Sequence, residues 1–239
     1  MSEASFQQGS FSLPTQTRRR AFAIMTISQN DVDTPSVHDV RTAVQILEAD
    51  RCLIIPTETF FGLAASVFSS AGCALVYQAK MRSASKPLPL IAADTAMVEE
   101  VCDTTPVPEK LLSLWPAPLT LVLPVHKHLL GKIASPLLDS RSCVAIRVSP
   151  HPVARKIAQF LGAPITATSA NISGRDPVTE ARRLDPDLAR GIPVLDLPPK
   201  PAGGLPSTIL SFPEPGTVLL HREGAISKSE LAHLGISVS

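Results

Sequence analysis

The residues best able to do chemistry fall in five short stretches. Lys80-x-Arg82, with Lys86 four residues on, puts cations where a helix should end. Such a cluster can answer the negative end of the helix dipole. It can equally hold phosphate, with Lys as a point charge and Arg as a two-pronged fork. Val144-Ala145-Ile146-Arg147-Val148 places an arginine inside an apolar strand. A buried guanidinium needs an anion, and an internal carboxylate meets that need as well as a ligand carboxylate or phosphate does. Pro56-Thr57-Glu58-Thr59-Phe60-Phe61-Gly62-Leu63 brings two hydroxyls, a carboxylate and a glycine just after an apolar run. It reads equally as a turn held by side-chain hydrogen bonds and as a grip on a small polar ligand beyond the carboxyl end of a strand. Thr166-Ala167-Thr168-Ser169-Ala170-Asn171-Ile172-Ser173-Gly174 is dense in hydroxyls and amides. That is ordinary turn chemistry, or a set of donors for phosphate oxygens. Gly203-Gly204-Leu205-Pro206-Ser207-Thr208-Ile209-Leu210, with Arg222-Glu223-Gly224 beyond it, is a loop and strand end whose glycines would let backbone approach a ligand closely.

Strands and helices must bring these stretches together. The spacing of Val37, Val40, Ala43, Val44 and Leu47 predicts a helix over 36–49, with Ser36 and Asp39 as a start resembling a capping box. Cys52-Leu53-Ile54-Ile55, ended by Pro56, predicts a buried strand. Further helices are expected over 69–81, 109–115, 152–161 and 229–235. Pro152 opens the third of these, and Gly162 follows its end. Strands are expected over 88–92, 119–125, 144–148, 165–168, 192–197, 208–211 and 218–221. Strands alternate with helices early and crowd together late. The fold class is therefore α/β (α+β), a single domain with one mixed, twisted sheet flanked by helices. The expected division is a poorly ordered polar tail over 1–30 and one folded domain over 31–239.

Composition narrows the function. The 239 residues are 44% hydrophobic and 18% charged, which excludes wholesale disorder. A formal net charge of +1 and 4% aromatics argue against a dedicated nucleic-acid coat or a base-stacking platform. The 23 prolines are about twice ordinary usage, so fixed turns should abound. Cys52, Cys73, Cys102 and Cys143 lie far apart with no CxxC pair, and they read as buried, reduced thiols of a cytoplasmic protein. No metal ligand set is expected: His126-x-His128 has no carboxylate nearby. There is no GxxxxGK[ST], GxGxxG, GxSxG or HExxH motif. Arg19-Arg20-Ala21-Phe22 imitates a twin-arginine signal, but the apolar stretch to Ile27 is too short, and no run approaches the roughly 18 residues of a membrane span. Strand ends carrying hydroxyls, amides and several cations, without a nucleophile triad, suit a nucleoside triphosphate together with a small acid.

The stretches PTETFFGLA (56–64), KMRSASKPLPLI (80–91), LWPAPLTLVLP (114–124), VAIRVSPHPVA (144–154), TSANISG (168–174), PSTIL (206–210) and HREGAI (221–226) resemble, in this order, the YrdC-like family of L-threonylcarbamoyladenylate synthases. The resemblance implies a twisted α/β sheet with a basic concave face, in the family's single-domain form. The implied activity joins L-threonine, bicarbonate and ATP into threonylcarbamoyl-AMP and pyrophosphate, with Mg²⁺ arriving on the ATP phosphates. Partner proteins would then carry the threonylcarbamoyl group to tRNA, and direct tRNA contact would be weak. Carried over, Lys80 and Arg82 are the catalytic cations on the triphosphate. Lys86, Cys143, Ser169, Asn171 and Arg222 complete the ATP site. Arg147 takes the threonine carboxylate, with Thr59 and Ser207 beside it. Phe61, Ile91, Ala117 and Leu205 depart from residues frequent in the family, here tyrosine, histidine, glycine and glutamate. The other readings are an RNA-binding module without turnover and a related carbamoyl-adenylating enzyme with another acceptor.

Overall fold

The computed structural model describes residues 36–239, and the expected tail over 1–30 lies outside them. In chain order the first elements are β1 (Ser36–Val37), α1 (Val40–Glu48), β2 (Leu53–Pro56), β3 (Phe61–Ala64), α2 (Ser70–Ala79) and β4 (Leu90–Ala92). Next come α3 (Thr95–Val101), α4 (Glu109–Leu112), β5 (Leu119–Pro124), β6 (Cys143–Val148), α5 (Pro152–Leu161), β7 (Ile165–Thr166) and β8 (Thr168–Ser169). The chain ends with α6 (Pro186–Ala189), β9 (Val194–Leu195), β10 (Thr208–Ser211), β11 (Leu219–Arg222) and α7 (Lys228–His233).

The domain is mixed α/β, as expected, but it holds two sheets rather than one. One runs β1-β9-β2-β3-β8 and the other β11-β10-β5-β6-β4-β7. The apolar segment 165–168 crosses between them. Thr166 pairs with Leu90 in the second sheet, while Thr168 pairs with Leu63 in the first. Ala167 is the hinge between the two, and hydropathy alone cannot register such a change of partner. Each sheet mixes parallel and antiparallel pairs: β4 runs parallel to β6, and β5 runs antiparallel to it.

Local signals explain most elements. Ser69 caps α2, its hydroxyl accepting the Gly72 N–H at 2.9 Å. Pro152 opens α5, and Gly162 closes it at φ 67°, a left-handed cap that glycine adopts without strain. Helix α1 starts later than its sequence suggests. Ser36 and Val37 pair with Val194 and Leu195 as a strand, so Asp39 becomes the cap and accepts the Thr42 N–H at 2.8 Å. Two elements carry no clear sequence signal. Helix α3 is capped by Asp94, and β3 is the return arm of a hairpin with β2.

Two apolar clusters bracket the sheets. Ala43, Val44 and Leu47 of α1 pack with Val153, Ala154, Ile157 and Ala158 of α5 over Leu53 and Ile55 of β2. The larger cluster joins Val144, Ile146 and Val148 of β6 to the faces of α2, α3, α4 and α7. All four cysteines are free and buried; burial pushes the thiol of Cys52 up to about 11 and those of Cys73 and Cys102 to about 12. No helix among the described residues is long and apolar enough to cross a membrane.

Candidate active site

Strand β6 sends alternate side chains to opposite faces. Val144, Ile146 and Val148 enter the core, which leaves Ala145 and Arg147 facing a cavity of about 510 Å³ lined by residues of both sheets. The β2–β3 turn supplies Thr57 and Thr59 to its wall, the sheet crossover supplies Thr168 and Ser169, β10 and the loop before it supply Ser207 and Ile209, and β11 supplies Arg222. Four of the five chemically interesting stretches therefore meet here, and Arg82 contributes from the remaining one.

Arg147 is 5% exposed, and its anion is internal: Nε donates to Glu58 Oε1 at 2.9 Å. Glu58 Oε2 in turn accepts the Ser149 hydroxyl at 2.5 Å. Burial pushes the Glu58 carboxyl up, but Arg147 and the Ser149 hydroxyl outweigh it and hold the group below the ordinary carboxylate range. Of the two anions considered for this arginine, the structure holds the internal carboxylate. Glu58 takes the Nε edge, and the Nη groups make no hydrogen bond to another described residue while the side chain lines the cavity. The sequence gives no sign that Glu58, 89 positions away, is the partner. Arg222 lies nearby and wraps the Ser207 carbonyl with Nε at 3.1 Å and Nη2 at 2.8 Å. Burial, and then Arg147, lowers its proton affinity. Ser207 Oγ is 2.8 Å from Thr120 Oγ1. A Cβ on Gly224 would stand 2.1 Å from the Pro206 carbonyl oxygen, so only glycine lets the strand carrying Arg222 lie this close to Ser207.

The second lobe, about 370 Å³, opens at the C-terminal end of α2 and is lined by Lys80, Arg82, Lys86, Ser169, Asn171 and Ser173 among others. Arg82 and Ser169 line both cavities, so the two adjoin. Lys80 departs from the free phosphate clamp expected of it. It is 2% exposed, and Nζ donates to the Ser169 carbonyl, to the Asn171 carbonyl at 2.8 Å and to Asn171 Oδ1 at 3.3 Å. An ammonium has three donors, so Lys80 ties the end of α2 to the Ser-x-Asn loop. Burial, with Arg82 beside it, pushes its pKa down to about 8. Arg82 spends Nε and Nη2 on the carbonyls of Lys86 and Pro87 at 3.2 and 3.3 Å, and these bonds aim the guanidinium. Lys86 is exposed at the rim.

Cys143 shares a face of β6 with Ala145 and Arg147 but lines neither lobe; its thiol donates to the Arg141 carbonyl at 3.7 Å. Behind the ion pair lies His151, which sequence reasoning missed. It is 3% exposed, its Nε2–H donates to the Pro199 carbonyl at 2.9 Å, and its Nδ1 has no partner among the described residues. Burial lowers its pKa, so the ring is neutral. The one available signal was its place four residues beyond Arg147 on the same strand exit.

Fold and site together define an α/β domain with two adjoining cationic cavities that share Arg82 and Ser169 and carry hydroxyls in their walls. The model of the Sua5_yciO_yrdC family, described as "Telomere recombination", matches residues 45–224, and the chain belongs to this family. Curated relatives named threonylcarbamoyl-AMP synthase include those of Bacillus subtilis strain 168 (34% identical, covering 80% of this chain and 55% of the relative), Pyrococcus abyssi (30%, 87% and 60%) and Mus musculus (35%, 77% and 66%). The chain thus spans less than two thirds of the length of these relatives. Among solved structures, P. abyssi Sua5 complexed with L-threonine matches with a TM-score of 0.73 at 27% identity, over 86% of this chain and 62% of that one. E. coli YciO, at 19% identity, shares the fold with a TM-score of 0.65 over 80% of this chain and 93% of that one.

Proposed function

We propose that this chain is an L-threonylcarbamoyladenylate synthase, joining L-threonine, bicarbonate and ATP into threonylcarbamoyl-AMP and pyrophosphate. The observation that carries the reading is a pair of adjoining cavities, one with a buried Arg147 and the other with Lys80, Arg82 and Lys86. A guanidinium with its Nη edge open matches an α-carboxylate. Three cations and a hydroxyl–amide loop match a triphosphate. The names of the relatives and the threonine complex of P. abyssi Sua5 support the same assignment.

In this reading Arg147 holds the threonine carboxylate, with Thr59 and Ser207 beside the amino acid. Arg82, Lys86 and the Ser169–Asn171 loop hold the phosphates. Lys80 adds its charge and fixes the loop, whereas Arg222, expected at the nucleotide, lines the Arg147 end instead. The threonine amine captures carbon dioxide or bicarbonate as a carbamate. A carbamate oxygen then attacks the α-phosphorus, and pyrophosphate leaves in line, so the work is positioning and charge stabilisation. Both oxygens of the nearby Glu58 are committed to protein donors, so Mg²⁺ would be carried on the triphosphate and would neutralise part of its charge. The product's threonylcarbamoyl group would pass to tRNA through separate transfer proteins.

The test is pyrophosphate release from ATP with a panel of amino acids, with bicarbonate present and withheld. Release that requires both threonine and bicarbonate is expected. Release with another carbamoylated acceptor, or no release at all, would overturn the reading.

A further inference from the structure

We propose that Glu58 is a specificity-determining residue that sorts anions between the two ends of the cavity. The inference rests on the two-substrate reading of the site above and deepens it. The Lys80 end carries three positive charges, and no Asp or Glu lines it. The opposite end carries Arg147 and Arg222, but Glu58 sits directly behind Arg147, with Nε and Oε1 2.9 Å apart. With Arg82 shared at the border, Glu58 lowers the positive charge of that end by one. A single carboxylate is matched there by the free Nη edge. A phosphate group, with its higher charge, meets an arginine already half neutralised and the Glu58 anion one guanidinium behind it, and like charges at that range repel in a partly dry site. The same ATP phosphates find no such opposition at the Lys80 end. The Ser149 hydroxyl donates to Oε2 and holds the carboxylate in place against Arg147. Without Glu58, two arginines would face the cavity uncompensated, and a phosphate could occupy the amino-acid end and block productive binding.

The experiment titrates pyrophosphate calorimetrically into the full chain and into Glu58→Gln, which keeps an oxygen for Arg147 Nε while removing the charge. The original protein should bind one pyrophosphate per chain, with threonine leaving that value unchanged. Glu58→Gln should bind a second one, which threonine displaces, and its apparent threonine affinity measured in pyrophosphate should fall by about tenfold or more. Adding Arg147→Met should abolish the second event. A Glu58→Gln protein that folds and still binds a single pyrophosphate would overturn the proposal. A second measurement covers a variant that fails to fold: in the original protein, acetate should displace bound threonine at concentrations where inorganic phosphate does not, and equal displacement by both overturns the sorting. The pyrophosphate count does not depend on threonine being the substrate. Failure of threonine to bind the original protein would therefore sink the proposed function and leave the sorting to be judged on pyrophosphate alone.

Discussion

The two ends of the cavity are both cationic but are built in opposite ways. At the Arg147 end the charge stands on a central strand, 5% exposed, and is answered by a carboxylate from a hairpin turn in the other sheet. At the Lys80 end the charges stand at a helix terminus and its following loop, and they are answered by backbone carbonyls rather than anions. An ion pair between two sheets makes the first end part of the protein's stability. Carbonyl contacts leave the positive charge of the second end uncancelled and available to a ligand. One end is thus set by folding, whereas the other keeps its positive charge uncancelled.

The largest expected effect is at the ion pair. Arg147→Met leaves Glu58 buried without its cation and should cost about 3–5 kcal/mol of stability in denaturant unfolding, with most of it recovered in the Glu58→Gln/Arg147→Met double variant. Arg147→Lys should lower both Tm and threonine affinity, because Lys cannot serve Glu58 and a ligand carboxylate together.

Lys80→Met should come next, and its effect should fall on function. It removes a charged donor from two carbonyls and one amide oxygen of the Ser169–Asn171 loop, worth about 3 kcal/mol, or ~100-fold in kcat/KM for ATP. If threonine KM rose equally, the two ends would not be separable and the comparison would fail.

Gly224→Ala should cost about 1–3 kcal/mol, seen as a Tm lower by roughly 2–4 °C per kcal/mol, since the new Cβ collides with the Pro206–Ser207 backbone. The pH dependence should be gentler. Lys80, near 8 in the fold against an ordinary 10.5, loses its charge as pH rises through 8. ATP KM should then climb while threonine KM holds. The unfolded chain keeps that proton up to about 10.5, so Lys80's own contribution to stability rises across this window even as ATP binding weakens. The smallest effect is expected at Cys143, which touches neither lobe; Cys143→Ala should leave ATP KM within about twofold.

Much of this protein was legible in its residues. The capped helices α2 and α5, the strands around Leu53, Leu119 and Arg147, the four buried thiols and the five polar stretches all follow from local rules of period, capping and turn chemistry. Those rules act over a few residues, so one sequence carries them in full. The rest depended on contacts between distant segments. That β7 and β8 belong to different sheets depends on whether Leu90 or Leu63 lies opposite. Asp39, rather than Ser36, caps α1 because Val194 pairs with Ser36. Lys80 fastens a loop about ninety residues away instead of standing free. Sequence alone determined that Arg147 must have an anion, because a buried guanidinium is never left bare. Only the tertiary structure decided that the anion is Glu58 and that the Nη edge is left without a partner among the described residues, because the direction of a side chain is set by what packs around it.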